Sequence, residues 1–541
     1  MFVSFSDLPG QHNLFLDYMY EFENVKEFYH KNFRDTELFK THFLEVAEKK
    51  RSHRTLLPGI LHAQYENFTP SKKTVENIDL LSSDKTLAVV TGQQLGLYGG
   101  PLYTFYKIIT AIKLCASLRE KYGDFNFVPV FWLEGDDHDF EEVRSANLIS
   151  DNNEIVSVAY NDNEPAETNR GSIGKLVFNG NISAANEEVN SILRDNDFKP
   201  RLMEKLTACY KEGETFKSSF RRLLFDIFDE YGLIFFDPQD IKIKEILKPV
   251  FRRELENFSE HTKELVKVSA ELEEVYHAQV KVNPINLFLD DDDGRYLIEP
   301  ADDDFRLKSK RKKILKNTLL EILDSNPQKF SPNVLLRPIC QDYIFPTAFY
   351  IGGPGEISYF AQVIPLYGFF NVPQPLVYPR SSLTIVEKTI QKTIDKYNLR
   401  FSDLFSDKEM LFENVIKSIS DMQFEQDFSA CEKEMDQALD RLKGKLLSID
   451  KTLNDAASKV YERVSQSLKI LKDKTNEAQK KKHEATIRQL NKASNVLFPN
   501  GNFQERELSF IYFAHKYGLD IIKWIYSELA INRFEHQITE L

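Results

Sequence analysis

The sequence predicts an α/β protein in which a doubly wound parallel sheet forms the core and a long helical coiled coil is attached to it. Two observations predict this fold. First, the apolar runs KTLAVVTG and NFVPVFWLEG are separated by a glycine-rich turn and an apolar-periodic segment, which is the strand, loop, helix, strand order of a βαβ unit. Second, apolar residues between Met435 and Leu471 recur almost regularly at steps of four and three, which indicates a coiled coil.

Composition and charge exclude several classes of protein. A chain of 541 residues with 42% hydrophobic residues has enough apolar side chains for a packed interior. Its net charge of −13 provides no general attraction for nucleic acid. Four well-separated cysteines, the lack of a basic signal-peptide region and the lack of any long apolar window favour a cytoplasmic protein that does not enter a membrane.

Changes of pattern along the chain predict five segments. They are an N-terminal helical segment with the first part of the core (1–150), connective insertions with one core strand near 231–238 (151–330), the second part of the core (331–386), the helical coiled coil (387–497) and a C-terminal segment that returns to the core (498–541). The partner of the coiled coil is either the arm at 386–428 of the same chain or a second copy of the chain. A second copy would make the protein a homodimer.

The first glycine-rich turn, TGQQLGLYGGPLYTFYK, is a candidate anion-binding site. Gly99 and Gly100 precede the expected helix N-terminus, where backbone N–H groups attract phosphate or carboxylate. The spacing matches neither GxGxxG nor GxxxxGK[ST], and a tight structural turn explains the glycines equally well. Gln93 and Gln94 follow a strand at the edge where open α/β sheets bind ligands, and Lys107 lies two turns into the helix. These side chains favour a functional site.

The stretch WLEGDDHDF is a candidate catalytic cluster. If the strand persists, Glu134, Asp136 and His138 share one face and lie at the carboxyl edge of the sheet. A histidine among carboxylates is typical of a general acid or base, and the carboxylates alone suit Mg²⁺. The alternative is an acidic, solvated turn. Because the cluster follows a strand that is apolar on both faces, we expect a functional role.

A second glycine-rich turn and two arginines extend the candidate site. The turn FYIGGPGEISYF contains Gly353, Glu356 and Tyr359, and it suits a ligand loop that enters a helix. Arg380 follows another apolar run, and Arg506 lies where the chain returns from the coiled coil. An arginine can bind a carboxylate or a phosphate with two hydrogen bonds. A plain turn and exposed arginines are the alternatives.

Four stretches together resemble one known family. TGQQLGLYGGPLYTFYKIITAIKL, VPVFWLEGDDHDFEEV, IGGPGEISYF and LFPNGNFQER are similar to the cysteine-adding enzymes of bacillithiol biosynthesis, in the same order and over essentially the whole chain. The resemblance implies a Rossmann-like core related to nucleotidylyltransferases and class I aminoacyl-tRNA synthetases, connective insertions, and a coiled coil that supports dimerisation. It also implies a reaction that joins L-cysteine to glucosaminyl-malate. The His-x-Gly-His signature of the synthetases is absent, so their adenylation mechanism does not transfer directly.

The implied reaction assigns roles to the catalytic candidates. A free carboxylate does not form an amide at neutral pH, so ATP, with or without Mg²⁺, is the expected cofactor and supplies an acyl-adenylate or an acyl phosphate. We expect His138, steered by Asp136 or Glu134, to take the proton of the attacking amine. Gln93 and Gln94 are expected to bind sugar hydroxyls or the reacting carboxylate.

The remaining candidates are expected to hold anions. The amides of Gly99 and Gly100, with Lys107, would bind a phosphate or carboxylate, Arg380 a malyl carboxylate, and Arg506 a bound phosphate. Two other functions stay open at this point. One is a different ATP-dependent amide-forming or nucleotidyl-transferring ligase, and the other is a coiled-coil scaffold. Polar loops at the ends of several apolar strands argue against a scaffold, which needs none.

Overall fold

The computed structural model describes residues 1–310, 312–405, 408–419, 423–450 and 453–541. The strands are β1 (Phe2–Val3), β2 (Thr86–Gln94), β3 (Asn126–Glu134), β4 (Ser145–Ile149), β5 (Ile155–Ala159), β6 (Ile234–Phe236), β7 (Leu287–Asp291), β8 (Gly294–Ala301), β9 (Asp304–Leu307), β10 (Lys313–Ile314), β11 (Phe330–Pro332), β12 (Thr347–Gly352), β13 (Leu376–Pro379), β14 (Ser382–Val386) and β15 (His536–Glu540).

The helices in the first half of the chain are α1 (Asn13–Tyr20), α2 (Lys26–Tyr29), α3 (Phe39–Glu48), α4 (Leu57–Gln64), α5 (Lys72–Leu80), α6 (Leu102–Lys121), α7 (Phe140–Val143), α8 (Asn181–Ile192), α9 (Lys199–Cys209), α10 (Phe216–Phe228) and α11 (Ile241–Val275). Those in the second half are α12 (Lys316–Ser325), α13 (Arg337–Ile344), α14 (Pro354–Phe370), α15 (Lys388–Lys396), α16 (Phe401–Leu404), α17 (Lys408–Ile419), α18 (Gln423–Leu447), α19 (Leu453–Leu497), α20 (Gln504–Glu507), α21 (Phe510–Tyr517) and α22 (Ile521–Glu528).

The chain divides into two compact units. The core unit contains Met1–Ile385 and Phe503–Thr539, and the helical unit contains Val386–Asn502 and Glu540–Leu541. The chain therefore leaves the core unit at Val386, forms the helical unit, and returns to the core unit at Phe503 for its last helices. None of the helices in the described ranges is both long and apolar enough to cross a membrane.

A parallel sheet forms the centre of the core unit, as the sequence predicts. Its strand order is β13-β12-β2-β3-β6, and each neighbouring pair is parallel. Strand β2 continues past the predicted end at Gly92, because its ladder with β3 extends to the pair Gln94 and Glu134. This register brings the glutamines and the acidic segment to the same edge of the sheet.

Helix α6 completes the predicted βαβ unit. It begins directly after Pro101, whose missing N–H costs nothing at this position, and it packs on both β2 and β3. Most of its side chains are buried, including the ammonium-bearing Lys107. The helix therefore carries a buried cation beneath the carboxyl ends of the strands.

The insertion after β6 adds the long helix α11 and an antiparallel sheet of order β10-β9-β8-β7-β11. Strands β7 and β8 form a hairpin, in which Asp291 pairs with Gly294 across the turn. We call this antiparallel sheet the insertion sheet. Its strands β7, β8 and β11 supply Phe288, Arg295 and Ser331 to the site described below.

In the helical unit, the heptad pattern occupies two helices instead of one. Helix α18 ends at Leu447, the chain turns through Ser448–Asp450, and α19 starts at Leu453. Serine and aspartate favour such turns because their side chains compete with helical hydrogen bonding. The hydroxyl of Tyr461 on α19 donates to Asp436 on α18 at 2.8 Å, so these helices contact each other within one chain.

The arm predicted as a coiled-coil partner also packs within the helical unit. Helices α15, α16 and α17 contact α19, and the hydroxyl of Tyr397 donates to Gln489 at 2.7 Å. Residues 406–407, 420–422 and 451–452 of the predicted coiled coil lie outside the described residues. Within the described ranges, α19 thus finds partner helices in its own chain along both of its halves.

Candidate functional site

A cavity of about 610 Å³ lies at the carboxyl edge of the parallel sheet. Four adjacent strands end at it, and they contribute Arg380 after β13, Gly353 after β12, Gln93 on β2 and Glu134 on β3. Open α/β sheets bind ligands at this edge because side chains from several strand ends converge there. The insertion sheet and the segment before it close the other side of the cavity with Phe288, Arg295, Gln279 and Asn283.

Most of the residues predicted for the site line this cavity, and three do not. Those that line it are Gln93, Gln94, Lys107, Glu134, His138, Gly353, Glu356, Tyr359, Arg380 and Arg506. Gly99, Gly100 and Asp136 are not among the described residues that line the cavity. Each of the three already has protein partners.

Gly99 and Gly100 form a tight turn whose amides bond to the protein itself. The N–H of Gly99 donates to the Tyr210 hydroxyl at 3.1 Å, and that of Gly100 donates to the carbonyl of Leu97 at 3.1 Å. Their φ angles of +90° and +72° lie in the region that favours glycine. The backbone conformation therefore explains these glycines, and the geometry does not support the anion-binding role predicted for them.

Asp136 forms a buried ion pair with Lys244. Its Oδ2 accepts from Lys244 Nζ at 2.7 Å and its Oδ1 accepts from Gln239 Nε2 at 3.1 Å. Burial alone would raise the pKa of Asp136, but the Lys244 charge and these hydrogen bonds outweigh burial and lower it. The expected alternation fails because β3 ends at Glu134, so the next residues no longer follow the pleat of a strand.

Lys107 and Glu356 form an ion pair at the floor of the cavity. The Lys107 ammonium donates to the carbonyl of Gly92 at 3.0 Å and to Oε1 of Gln93 at 2.8 Å, and it contacts the Glu356 carboxylate. Burial lowers the pKa of Lys107. Glu356 also accepts a hydrogen bond from the N–H of Gly353 at 2.8 Å, and this contact caps the N-terminus of α14. Lys107 is thus already neutralised, in contrast to the anion-binding role predicted for it.

Glu134 lies between an arginine and a tryptophan that sequence analysis did not select. Its Oε2 accepts from Trp132 Nε1 at 3.1 Å and lies 3.7 Å from Nε of Arg337. Arg337 donates to the hydroxyls of Tyr359 at 2.7 Å and Tyr350 at 3.2 Å. Burial raises the pKa of Glu134 to about 7, although the Arg337 charge opposes the rise. This carboxyl therefore exchanges its proton near neutral pH.

Glu142 is a second carboxyl with a raised pKa, and it is not among the site residues predicted from the sequence. Its Oε2 accepts from Gln94 Nε2 at 3.3 Å at the exposed rim of the cavity. Partial burial of the carboxyl, with the charges of Asp137 and Asp139, raises its pKa to about 7. Glu142 lies in the same acidic segment as His138, on the short helix α7 that follows it.

His138 lines the cavity with a half-exposed side chain. Its Nδ1 lies 3.0 Å from Nη1 of Arg295, and its ring lies 5.5 Å from that of Phe288. Burial and the Arg295 charge lower the pKa of His138, while Asp137 and Asp139 oppose that effect. The imidazole is therefore neutral at neutral pH.

The two predicted arginines differ in their electrostatic state. Arg380 is buried and its Nη2 donates to Glu505 Oε1 at 2.6 Å, so its charge is neutralised. Arg506 follows Glu505 in the short helix α20 and faces the cavity. Within the part of the chain that the structure describes, the guanidinium of Arg506 has neither an ion pair nor a hydrogen bond. Arg506 is therefore available for an anionic ligand.

Several carboxylates line the cavity, among them Glu134, Asp137, Glu142 and Glu356. Among the described residues, no set of three or more His, Cys, Asp or Glu side chains is positioned to bind a metal ion. Asp136 is bonded to Lys244, and Asp137 accepts the backbone N–H of His138 at 2.7 Å. Asp136 and Asp137 are thus engaged by groups of the protein itself.

Two family models match the chain. The model described as "Bacillithiol biosynthesis BshC, N-terminal Rossmann-like domain" matches residues 1–381. The model described as "Bacillithiol biosynthesis BshC, C-terminal coiled-coil domain" matches residues 383–541. Both descriptions agree with the fold, since the first match contains the whole parallel sheet and the second contains α15 to α19.

Several relatives match over nearly their full length. A Salinibacter ruber protein named "Putative cysteine ligase BshC" is 35% identical over 529 residues, which cover 97% of this chain and 96% of the relative. Proteins of the same name from Chlorobaculum tepidum and Chloroherpeton thalassium are 35% and 33% identical, and the matches cover 95% of this chain in each case and 94% and 93% of the relatives.

Proposed function

This chain belongs to the BshC family of bacillithiol biosynthesis, and on that premise we propose that it is a cysteine ligase that joins L-cysteine to the amine of glucosaminyl-malate. Its relatives carry the name of a cysteine ligase and match almost the entire chain. One observation of the site carries the proposal. Two carboxyls with a pKa of about 7, Glu134 and Glu142, share a cavity with the guanidinium of Arg506, which has no protein partner among the described residues. Amide formation needs a carboxylate that accepts the proton of the amine and a cation that binds the negative charge of the activating group.

The chemical step needs a base for the amine. The amine nitrogen attacks the activated carboxyl carbon of cysteine, the new C–N bond forms, and the activating phosphate or AMP leaves with the electron pair of its C–O bond. The nitrogen then gives up one proton. We assign that proton to Glu142, because its carboxylate lies at the accessible rim and is half-ionised near neutral pH.

His138 is a less suitable base than the sequence suggested. The Nδ1 lone pair of His138 faces the guanidinium of Arg295 at 3.0 Å, so it is not available to accept the amine proton. Asp136 cannot orient the ring, because it is bonded to Lys244. Glu142, whose pKa is raised to about 7, faces the side-chain amide of Gln94 instead of a guanidinium.

ATP is the cosubstrate that we propose for activation of the cysteine carboxylate. When bound, ATP supplies the phosphoryl or adenylyl group that turns the carboxylate oxygen into a leaving group. Arg506 is the residue that we propose for its phosphates, because its guanidinium faces the cavity without a protein partner in the described chain. The amides of Gln93 and Gln94 remain the proposed contacts for substrate hydroxyls or the reacting carboxylate.

The test is a reconstitution with purified full-length protein. L-cysteine carrying a heavy isotope, glucosaminyl-malate and ATP are incubated with the protein, and the thiol products are separated and weighed by mass spectrometry. We expect the labelled amide only when all three substrates are present, and a loss of about 100-fold or more with Glu142→Gln. The absence of an amide product in the complete mixture, or product formation from a different amine alone, would contradict the proposal.

A further inference from the structure

We propose that Arg295 is a positioning residue that holds His138 as a neutral ring with its proton on Nε2, so that the ring presents an N–H donor to an oxygen of the bound substrate. The inference deepens the proposed function and rests on it for the identity of that oxygen. The state of the ring itself can be measured without substrate. Arg295 comes from the insertion sheet, whereas His138 follows the parallel strand β3.

The guanidinium of Arg295 is held from several sides by the insertion sheet. Its Nε donates to the Ser331 hydroxyl at 2.8 Å, and its Nη2 donates to the carbonyl of Pro332 at 3.0 Å. Its central carbon lies 3.7 Å from the centre of the Phe288 ring. Arg295 is 5% exposed, and its remaining terminal nitrogen, Nη1, is directed at His138.

This geometry determines the tautomer of His138. A guanidinium has hydrogen-bond donors and no acceptor, so the Nδ1 that lies 3.0 Å from Nη1 must be the acceptor. A neutral imidazole carries one proton, and that proton is then on Nε2. A second proton on Nδ1 would place two N–H donors and two positive charges against each other.

The other charged groups near the ring do not reverse this assignment. Asp137 and Asp139, in the same loop as His138, favour the protonated ring, but burial and Arg295 outweigh them and lower the pKa. Oδ1 of Asp137 lies 3.6 Å from Nδ1 and accepts the backbone N–H of His138 at 2.7 Å instead. From the insertion sheet, the ring faces Arg295 and the apolar Phe288.

A fixed Nε2–H changes what His138 does in the reaction. It donates a hydrogen bond but does not take up a proton, and its side chain is 51% exposed at the cavity. During attack on an activated carboxyl group, negative charge develops on the acyl oxygen and on the leaving phosphate. A donor held in place before the reaction stabilises that charge without reorganisation.

The experiment is nitrogen NMR of the full-length protein labelled with ¹⁵N in its histidine rings. The His138 signals are identified by their loss in His138→Gln. We expect an unprotonated Nδ1 and a protonated Nε2 that persist below the ordinary histidine pKa of about 6.5. In Arg295→Lys, which keeps the charge but loses the planar donor fork, we expect a mixture of both tautomers. Arg306→Lys, at an exposed position of the same sheet, is the matched control and should leave the His138 signals unchanged.

Kinetics and a milder variant complete the test. Arg295→Lys should lower kcat by about 10- to 100-fold with little change in KM, because the lost donor acts in the transition state. Ser331→Ala removes one anchor of Arg295 without altering its charge and should shift the tautomer ratio in the same direction. A wild-type ring protonated on Nδ1, or a ring unaffected by both variants, would overturn the proposal. These spectra give their answer even if no ligase activity is found, so failure of this proposal and failure of the proposed function are distinguishable.

Discussion

Nε of Arg337 lies 3.7 Å from Oε2 of Glu134, which is close enough for electrostatic attraction but too long for a strong hydrogen bond. The effect of burial therefore outweighs that of the Arg337 charge, and the pKa of Glu134 rises to about 7. At the rim of the same cavity, Glu142 reaches a similar value through partial burial and the neighbouring Asp137 and Asp139. A single ligand can thus meet two carboxyls that change charge in the physiological range.

Activity should depend on pH through Glu142. Because a base acts in its ionised form, we expect kcat/KM to rise as the pH increases through about 7. Glu142→Gln should lower kcat by about 100-fold or more and remove this rise. Glu141→Gln, which changes an exposed neighbour, is the control. A pH profile of Glu142→Gln that keeps the same rise would assign the base to another group.

Glu134 should make the folded protein less stable at alkaline pH. Its pKa is raised from 4.5 to about 7 on folding, so the folded state binds its proton more tightly than the unfolded state. The resulting stabilisation is complete below about pH 4.5 and is lost as the pH rises through about 7.

Glu134→Gln removes this dependence, because glutamine cannot ionise and still accepts the Trp132 N–H. At pH 8, we expect the variant to be more stable than wild type by on the order of 3 kcal/mol, with a smaller difference at pH 5. Urea denaturation at the two pH values measures it. Equal differences at both pH values would contradict the raised pKa.

The ion pair of Lys107 and Glu356 should show strong energetic coupling. Lys107→Met leaves the Glu356 carboxylate buried without its cation and should cost about 3–5 kcal/mol of unfolding free energy. The double variant Lys107→Met, Glu356→Gln removes both charges and should recover a large part of that loss. Denaturant melts of the two single variants and the double variant form the cycle. Purely additive losses would show that the pair does not interact.

Arg506 should contribute to the binding of an anion and not to stability. Arg506→Met removes a guanidinium that has no protein partner within the described residues, so we expect an unchanged melting temperature. The KM for ATP should rise by about 10-fold or more, since a charged hydrogen bond contributes roughly 1.5–3 kcal/mol. Lys523→Met, an exposed cation in the same C-terminal segment, serves as the control. A rise in the KM for glucosaminyl-malate alone would instead place the malyl carboxylates at Arg506.

The helical unit should join two copies of the chain. Although α18 and α19 contact each other, Leu442, Val460 and Leu471 remain 53%, 52% and 55% exposed. Exposed apolar side chains on a coiled coil favour a further helical partner. We expect a dimer in sedimentation equilibrium and a shift toward monomer with Leu471→Lys, whereas Lys472→Glu should have little effect. A wild-type protein that is monomeric at micromolar concentration would refute the expected dimer.

The parallel sheet and much of the site were predictable because short segments carry their own signals. Gln93 and Glu134 end apolar strands, and a parallel pair must bring such ends to one edge. The position of Asp136 was not predictable by the same argument, because alternation holds only while the strand continues. Arg295 and Arg337 gave no local signal, since their roles arise from tertiary contacts of a hairpin strand and a helix N-terminus that are distant in sequence.

The helical unit shows a second limit of prediction from sequence. A heptad pattern records which residues are apolar at each step, but it does not record where the chain reverses. Residues Ser448–Asp450 form a turn although Ile449 continues the apolar spacing, and this side chain is 76% exposed. The pattern thus identified the coiled coil correctly while giving no sign that two consecutive helices share it.

Because Glu505 and Arg506 lie late in the chain, the site is completed only near the end of translation. Glu505 anchors the buried Arg380, and Arg506 faces the cavity, yet both follow the entire helical unit in the chain. On the ribosome, the strands of the sheet emerge first and can pair before this segment is translated. A nascent chain that stalls within α19 therefore holds a nearly finished sheet with Arg380 unpaired and no cation at position 506.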